Sequence, residues 1–129
     1  MKKILVVDDS ATMRKIIMRV LRQAEISVEE ILEAANGVEG LSKLSSDPDI
    51  DMILSDVNMP EMNGIEFVKA IRGHHSKEEM PVVMITTEGG ETMVQTAMES
   101  GANGYVTKPI DRATLLATVE RLARPAPAA

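Results

Sequence analysis

Short, uninterrupted runs of aliphatic residues alternate along the chain with longer segments in which apolar residues recur every three or four positions. The short runs are rich in β-branched side chains and too short for helices, which predicts strands of a parallel sheet buried on both faces. The longer segments have the period of amphipathic helices. Because the two patterns alternate and the connections are short, the chain is predicted to form an α/β domain with right-handed crossovers.

Five strands are predicted, each followed by a helix, and they cover residues 4–7, 30–34, 52–54, 80–85 and 104–107. The second run is more polar than its neighbours, as expected of a strand at the edge of the sheet. The first helix is predicted to bury one apolar stripe, made of Met13, Ile16, Ile17, Val20 and Leu21. Its opposite face, which includes Arg14, is basic and predicted to be solvated. Val38, Leu41 and Leu44 are the apolar positions that predict a short second helix.

Glycine and proline predict where several of these elements end. Gly73 and Gly101 are placed to end the third and fourth helices. Pro60 follows the third strand closely and predicts a loop there. The pair Asn63-Gly64 predicts that this loop contains a turn with positive φ.

A chain of 129 residues is long enough for one domain with a substantial core. We expect the folded domain over residues 1–123 and a disordered tail over residues 124–129, which are mostly Pro and Ala. No apolar run reaches membrane-spanning length, and no signal-peptide pattern precedes the first strand. Together with the absence of cysteine, this composition predicts a cytoplasmic location.

The formal net charge of −6 argues against nucleic acid or an anionic membrane as a partner. One Phe, one Tyr and no Trp leave little aromatic surface on which bases could stack. The ten methionines are interpreted as flexible core residues.

Polar residues follow four of the five predicted strands directly. Asp8 and Asp9 follow the first strand, Asp56 the third, Thr86 the fourth and Lys108 the fifth. Each has an ordinary explanation taken alone, such as a helix cap or a solvated lysine. If these four strands lie side by side, however, the polar groups converge on one crevice at the carboxyl edge of the sheet, where open α/β sheets bind ligands.

Three carboxylates in one crevice repel one another and are difficult to keep ionised together. A hard divalent cation, Mg²⁺ or Mn²⁺, bound by carboxylate, carbonyl and water oxygens would relieve that repulsion. The formal charges of the three carboxylates, one such ion and Lys108 sum to zero. This combination suits phosphoryl transfer, in which an aspartate attacks phosphorus while the cation and the ammonium group neutralise the moving charge.

The chain resembles the receiver domain of two-component response regulators from Lys3 to about Leu122. The matching stretches are VVDD at 6–9, TMR at 12–14, DVNMP at 56–60, MNG at 62–64, IT at 85–86 and YVTKP at 105–109. The similarity is greatest to the CheY-like, single-domain regulators of chemotaxis. It implies a flavodoxin-like, doubly wound sheet of five parallel strands in the order 2-1-3-4-5 with five helices.

The resemblance also implies a role for each residue of the crevice. Asp56 is expected to be the phosphoacceptor. Asp8 and Asp9 are expected to bind Mg²⁺ together with Asp56, and the backbone carbonyl of Asn58 completes the protein ligands. Lys108 is expected to contact the phosphoryl group, and its peptide bond to Pro109 is expected to be cis.

Further roles concern the signal and its lifetime. The resemblance implies that Thr86 binds a phosphoryl oxygen and that Tyr105 then turns from an exposed to a buried position. Asn58 and Glu88 are expected to influence dephosphorylation, because their positions flank the path of the attacking water. Together they imply a fairly short-lived acyl phosphate.

The implied function is a stand-alone phosphoacceptor switch rather than an enzyme with its own substrate. A histidine kinase would donate the phosphoryl group, and an effector, such as the flagellar motor switch, would bind the face formed by the fourth helix, fifth strand and fifth helix. A phosphatase is a further possible partner, and a monomer is expected. A single-domain receiver in a phosphorelay outside chemotaxis is the alternative.

Two positions depart from the CheY-like pattern. Ser10 stands where those proteins have an aromatic residue beside the acidic pair, which would alter access to the crevice. Gly89-Gly90 makes the segment after Thr86 unusually permissive and would loosen the inactive state.

Three other interpretations compete with this one. A phosphatase of the haloacid-dehalogenase type also uses an aspartate nucleophile and Mg²⁺, but it would need an Asp-x-Asp pattern after the first strand instead of the adjacent Asp8-Asp9. A flavodoxin-like flavin carrier would need a Ser/Thr-rich phosphate loop at that place. A receiver that acts without phosphorylation would not require the full set of site residues.

Overall fold

The computed structural model describes residues 2–23, 28–87 and 89–123. Strands and helices alternate along them in the order β1 (Lys3–Val7), α1 (Ala11–Arg22), β2 (Glu30–Ala34), α2 (Gly37–Ser46), β3 (Ile50–Ser55), α3 (Gly64–Arg72), β4 (Val82–Thr86), α4 (Glu91–Ser100), β5 (Gly104–Thr107) and α5 (Arg112–Leu122). Among the residues described, none of the helices has the length and hydrophobicity that a transmembrane span needs. The predicted tail over residues 124–129 lies outside the described residues.

The strands form one parallel sheet in the order β2-β1-β3-β4-β5. The predicted α/β architecture and strand order are therefore confirmed, and the more polar β2 is an edge strand as expected. The chain moves from β1 to β2 on one side and then returns to place β3 on the other side. This reversal opens a crevice at the carboxyl ends of β1 and β3, where a doubly wound sheet binds its ligand.

The apolar core lies in two layers, one on each face of the sheet. Phe67 and Ile71 of α3 are fully buried on one face, while Ile17 of α1 and Leu115 of α5 are buried on the other. Side chains of this size each contribute roughly 1.5–3 kcal/mol when removed from water. Because both faces are covered, the strands read as continuous apolar runs rather than alternating ones.

Two of the apolar positions that predicted these helices are exposed, Ile16 by 41% and Val38 by 49%. On α1, Ile17 and Leu21 face the sheet, and Ile16 lies about 100° around the helix from Ile17. On α2 the contact with α3 is made at Gly40, where an added Cβ would lie 2.6 Å from the Phe67 ring. The buried faces of α1 and α2 are thus narrower than the apolar patterns suggest, because periodicity alone does not show how closely a helix approaches its neighbour.

Four of the five helices begin with a side-chain cap, and α4 does not. Ser10, Asn36, Asn63 and Asp111 each accept a hydrogen bond from a backbone N–H in the first turn of their helix, whereas Gly90 before α4 has no side chain to do so. The predicted ends of α3 and α4 are confirmed at Gly73 and Gly101, of which Gly101 adopts a φ of 118°.

The loop after β3 differs from its prediction. Asn63 has a φ of −76° and caps α3, with Glu66 completing a reciprocal pair of hydrogen bonds, so Asn63-Gly64 is not the turn. The residue with positive φ is Glu61, at 68°. An Asn three residues before a Glu is compatible with a capping box as well as with a turn. In this structure Asn63 serves as the N-cap of α3.

Candidate functional site

Three carboxylates meet where β1 and β3 end. Parallel pairing places Val7 opposite Ser55, so Asp8 and Asp56 leave the sheet side by side. One oxygen from each of Asp8, Asp9 and Asp56 lies within 4.8 Å of the others. Asp8 and Asp56 are only 1% and 7% exposed, whereas Asp9 is open to solvent.

Asp56 is positioned mainly by the backbone around it. Its N–H donates to the Val7 carbonyl at 2.9 Å, which continues the ladder with β1 for one residue past the strand. Its Oδ1 accepts a hydrogen bond from the Val57 N–H at 2.7 Å. Its Oδ2 lies 3.4 Å from the Lys108 ammonium nitrogen. The side chain is thus directed into the crevice with one oxygen against the backbone and the other towards Lys108.

Lys108 reaches the crevice from the end of β5. Its Nζ donates to Asp8 Oδ2 at 3.0 Å in addition to its contact with Asp56. Its backbone N–H donates to the Thr86 carbonyl at 2.7 Å, which ties it to the end of β4. The expected cis peptide bond between Lys108 and Pro109 is present.

Burial raises the pKa of Asp56 above its ordinary value, and the negative charge of Asp8 raises it further. The Lys108 ammonium group and the Val57 N–H act in the opposite direction but do not cancel the rise. The surroundings of Asp56 therefore favour the protonated form of its carboxyl group. Additional positive charge is what this crevice requires.

Replacing Asp56 with Asn should stabilise the protein in EDTA at neutral pH. Because the folded pKa is raised, the folded protein binds the Asp56 proton more readily than the unfolded chain does. The contribution of this group to stability is therefore greatest at low pH and is lost as the pH rises through its folded pKa. Asn carries no charge to bury, so we expect the melting temperature of the Asp56→Asn protein at pH 7 to be a few degrees higher than that of the wild type.

Thermal unfolding across pH 4–8 would measure this effect, with Asp49→Asn as the control for loss of an exposed carboxylate. The advantage of Asp56→Asn should shrink as the pH falls. A wild-type protein more stable than Asp56→Asn at pH 7 without divalent cations would contradict the argument.

The acidic cluster fits a hard divalent cation. Its carboxylate oxygens are the donors that Mg²⁺ and Mn²⁺ prefer, and the exposed Asp9 leaves one side open for water ligands. Lys108 offsets only one of the three negative charges, so the cluster keeps a formal charge of −2.

The structure brings the remaining predicted residues to the same edge of the sheet. Thr86 is the last residue of β4, fully buried, and pairs with Thr107, the residue before Lys108. Tyr105 lies in β5 and is partly exposed, and Asn58 is exposed in the loop that follows Asp56. Glu88 lies outside the described residues.

Two residues that shape this site were given no role from the sequence, although both lie in stretches that match receiver domains. Gly64 packs under the loop, and a Cβ there would collide with the Asp56 carbonyl oxygen and lie 2.8 Å from the Val57 Cα. Arg14, predicted to be solvated, instead turns back over the end of β1 and donates to the Asp8 carbonyl at 2.6 Å. Neither contact has a local signal, because each joins positions set by the packing of α1 or α3 on the sheet.

Comparisons with known proteins agree with this geometry. The model of the response regulator receiver domain matches residues 4–120. Chemotaxis protein CheY1 of Helicobacter pylori strain J99 is 48% identical over 107 residues, which cover 83% of this chain and 85% of that protein. A chemotaxis protein CheY homolog of Campylobacter jejuni strain 81-176 is 47% identical, with coverages of 83% and 81%.

A solved structure shows the same likeness in three dimensions. Chemotaxis protein CheY4 of Vibrio cholerae superimposes with a TM-score of 0.83 at 40% sequence identity, covering 95% of this chain and 99% of that chain. A putative response regulator from Chloroflexus aurantiacus superimposes with a TM-score of 0.82 at 30% identity, with coverages of 93% and 95%.

Proposed function

Because the chain belongs to the response regulator receiver domain family, we propose that Asp56 is the phosphoacceptor of a switch that a histidine kinase phosphorylates in a chemotaxis pathway. One observation carries the assignment of the residue. Asp8 and Asp56 both lie in the acidic cluster and beside the Lys108 ammonium group, but both carboxylate oxygens of Asp8 accept close hydrogen bonds, from the Ser10 N–H and from Lys108. Asp56 Oδ1 accepts from the Val57 N–H, whereas its Oδ2 is directed into the crevice at 3.4 Å from Lys108, so Asp56 is the better placed to attack. Family membership also argues against the phosphatase and flavin-carrier interpretations. The chemotaxis pathway is supported by the names of the similar proteins.

In the proposed reaction, a carboxylate oxygen of Asp56 attacks the phosphorus of a phosphohistidine. The new O–P bond forms as the P–N bond breaks, and the imidazole leaves with the electron pair and then takes up a proton. Lys108 is placed to stabilise the charge on the phosphoryl oxygens. Asp8, Asp9, Asp56 and the Asn58 backbone carbonyl would bind Mg²⁺ or Mn²⁺, which supplies positive charge to the same oxygens.

The phosphoryl group is then lost by hydrolysis of the acyl phosphate, which regenerates the Asp56 carboxylate and releases inorganic phosphate. Asn58 is two residues from Asp56 and exposed, so its side chain has access to water that approaches the site. We propose that Asn58 and Glu88 affect how readily this water attacks, so that the chain catalyses both its own phosphorylation and its own dephosphorylation.

Phosphorylation would change the surface through Thr86 and Tyr105. It adds charge and acceptor oxygens at Asp56, and the buried Thr86 hydroxyl lies at the end of the neighbouring strand. Movement of Thr86 towards the phosphoryl group would vacate space that the Tyr105 ring can occupy. The altered face is formed by α4, β5 and α5, and an effector such as the flagellar motor switch must bind its two states with different affinity.

The single tyrosine makes this switch directly measurable. With no Trp and Tyr105 as the only Tyr, the intrinsic fluorescence comes from the proposed switch residue alone. Adding beryllofluoride, a phosphoryl mimic, with Mg²⁺ should bury the ring and reduce quenching of its fluorescence by acrylamide. Asp56→Asn should abolish the response. Thr86→Ala should also abolish it, while phosphorylation by a small donor should continue because the contact between Asp56 and Lys108 is retained.

Thr87→Ala is the matched control, because Thr87 is the adjacent threonine and is exposed. It should respond like the wild type. Equal quenching with and without the mimic in the wild-type protein would contradict the proposed switch. If Thr86→Ala still shows the change in quenching, Thr86 is not part of the proposed switch.

A further inference from the structure

Arg14 links the end of β1 to β2 through both edges of its guanidinium group. Its Nη1 donates to the Asp8 carbonyl at 2.6 Å, and its Nε donates to Glu33 Oε1 at 3.0 Å. The Arg14 side chain is only 16% exposed. A planar group held at two points in this way has little freedom to move.

The Asp8 carbonyl belongs to the peptide unit that leads into Asp9. Asp8 is otherwise well secured, since its N–H donates to the Ala34 carbonyl at 3.1 Å and its carboxylate oxygens accept from the Ser10 N–H at 2.9 Å and from Lys108 at 3.0 Å. Asp9 has no such support. Across residues 2–23, 28–87 and 89–123, no hydrogen bond or ion pair joins its carboxylate to another residue.

The direction of the Asp9 side chain therefore depends on its backbone. The peptide plane between Asp8 and Asp9 is fixed at its carbonyl oxygen by Arg14. Rotation of that plane would turn the Asp9 carboxylate away from Asp8 and Asp56, with which it forms the acidic cluster.

The contact of Arg14 with the Asp8 carbonyl is better explained by a positioning role than by a contribution of positive charge to the acidic cluster. The Arg14 guanidinium is paired with the Glu33 carboxylate, so the two together add no formal charge beside the cluster. Glu33 lies in β2 opposite Val6 of β1, which places it one strand away from the crevice. Its contact with Arg14 thus orients the guanidinium from a rigid strand.

We infer that Arg14 is a positioning residue for the cation site, acting through the Asp8 carbonyl on Asp9, and that Glu33 in turn orients Arg14. This inference rests on the proposed function, because it takes Asp9 to be a cation ligand. Groups that orient ligands in this way typically account for 10- to 100-fold, roughly, in metal affinity.

A titration of the purified protein with MgCl₂ alone tests this role. Calorimetry measures the dissociation constant, and the backbone amide NMR signals of Asp9 and Ser10 report binding at the site. Arg14→Ala should raise the dissociation constant for Mg²⁺ roughly tenfold. Arg14→Lys should raise it roughly threefold, since one ammonium group cannot reproduce the two-point contact. Glu33→Gln should have an effect of similar size to Arg14→Lys. Phosphorylation by acetyl phosphate should need more Mg²⁺ in Arg14→Ala and yet reach the wild-type rate at saturating Mg²⁺.

Arg19→Ala is the matched control, because Arg19 lies on the same helix, is exposed and forms no ion pair among the described residues. It removes the same charge and should leave Mg²⁺ affinity unchanged. If Arg14→Ala does not fold, as judged by thermal unfolding, Arg14→Lys and Glu33→Gln carry the test. Wild-type affinity in the folded Arg14 and Glu33 variants would overturn the inference and leave the proposed function intact. Wild-type affinity in Asp9→Asn, or no Mg²⁺ binding by the wild type, would overturn both.

Discussion

Replacing Asp56 with Asn should reduce phosphorylation by acetyl phosphate and Mg²⁺ at least about 100-fold, to the limit of detection. The amide lacks the anionic oxygen that attacks phosphorus, while its shape keeps the acceptor for the Val57 N–H at the same place. Incorporation of ³²P measures the effect.

In the wild type the label should decay within the experiment rather than persist for many hours, since Asn58 and Glu88 are proposed to admit water.

Asp49→Asn is the control for this variant, because Asp49 is exposed and belongs to the connection between α2 and β3, outside the acidic cluster. It should be labelled like the wild type. The Asp56→Asn protein should also be folded and, in EDTA, more stable than the wild type, so lost labelling cannot be attributed to unfolding. Labelling of Asp56→Asn at the wild-type rate would contradict the assignment.

Replacing Gly64 with Ala should lower the free energy of unfolding by about 3 kcal/mol, near the upper end of the usual range for overpacking. A Cβ at this position would collide with the Asp56 carbonyl oxygen and lie 2.6 Å from Met84 Cε. The Gly64 N–H also donates to the Val57 carbonyl at 2.8 Å, so the helix start cannot shift without disturbing the loop. Because the displaced backbone atoms belong to Asp56, the proposed phosphoacceptor, and to its neighbour Val57, phosphorylation should slow as well.

Gly90→Ala is the matched control for the loss of a glycine. Nothing lies within 4 Å of a Cβ built at Gly90, and its φ of −69° suits any residue. We expect a change of less than about 1 kcal/mol, because the entropic gain from removing a glycine is opposed by the poorer fit of Ala at a helix N-cap. Urea unfolding of both variants measures the difference between them. Equal stabilities of Gly64→Ala and Gly90→Ala would show that close approach at Gly64 is not what the loop requires.

The architecture and the convergence of the site were predictable from the sequence for a physical reason. Continuous apolar runs are typical of strands covered on both faces, and their alternation with amphipathic helical segments favours a parallel sheet between two layers of helices. In such a sheet every carboxyl end lies at the same edge. The residues that directly follow the strands, among them Asp8, Asp56 and Lys108, must therefore share that edge.

The details that were missed depend on distances between elements, which periodicity does not contain. Whether Ile16 is covered depends on how α1 rolls against the sheet, and the role of Gly64 depends on how near α3 begins to β3. The same holds for Arg72 at the end of α3, whose guanidinium donates to the carbonyls of Met80 and Gly101, both at 2.9 Å. An arginine in the last turn of a helix gives no sign that it will bind loops that follow in the chain.

The location of the phosphoryl group on the intact wild-type protein tests the central proposal most directly. After phosphorylation with acetyl phosphate and Mg²⁺, borohydride reduction converts an acyl phosphate of aspartate into homoserine, which peptide mass spectrometry can place. We predict homoserine at position 56 alone, and none when EDTA replaces Mg²⁺. Homoserine at position 8 or 9, or modification at position 56 that is equally strong in EDTA, would contradict it.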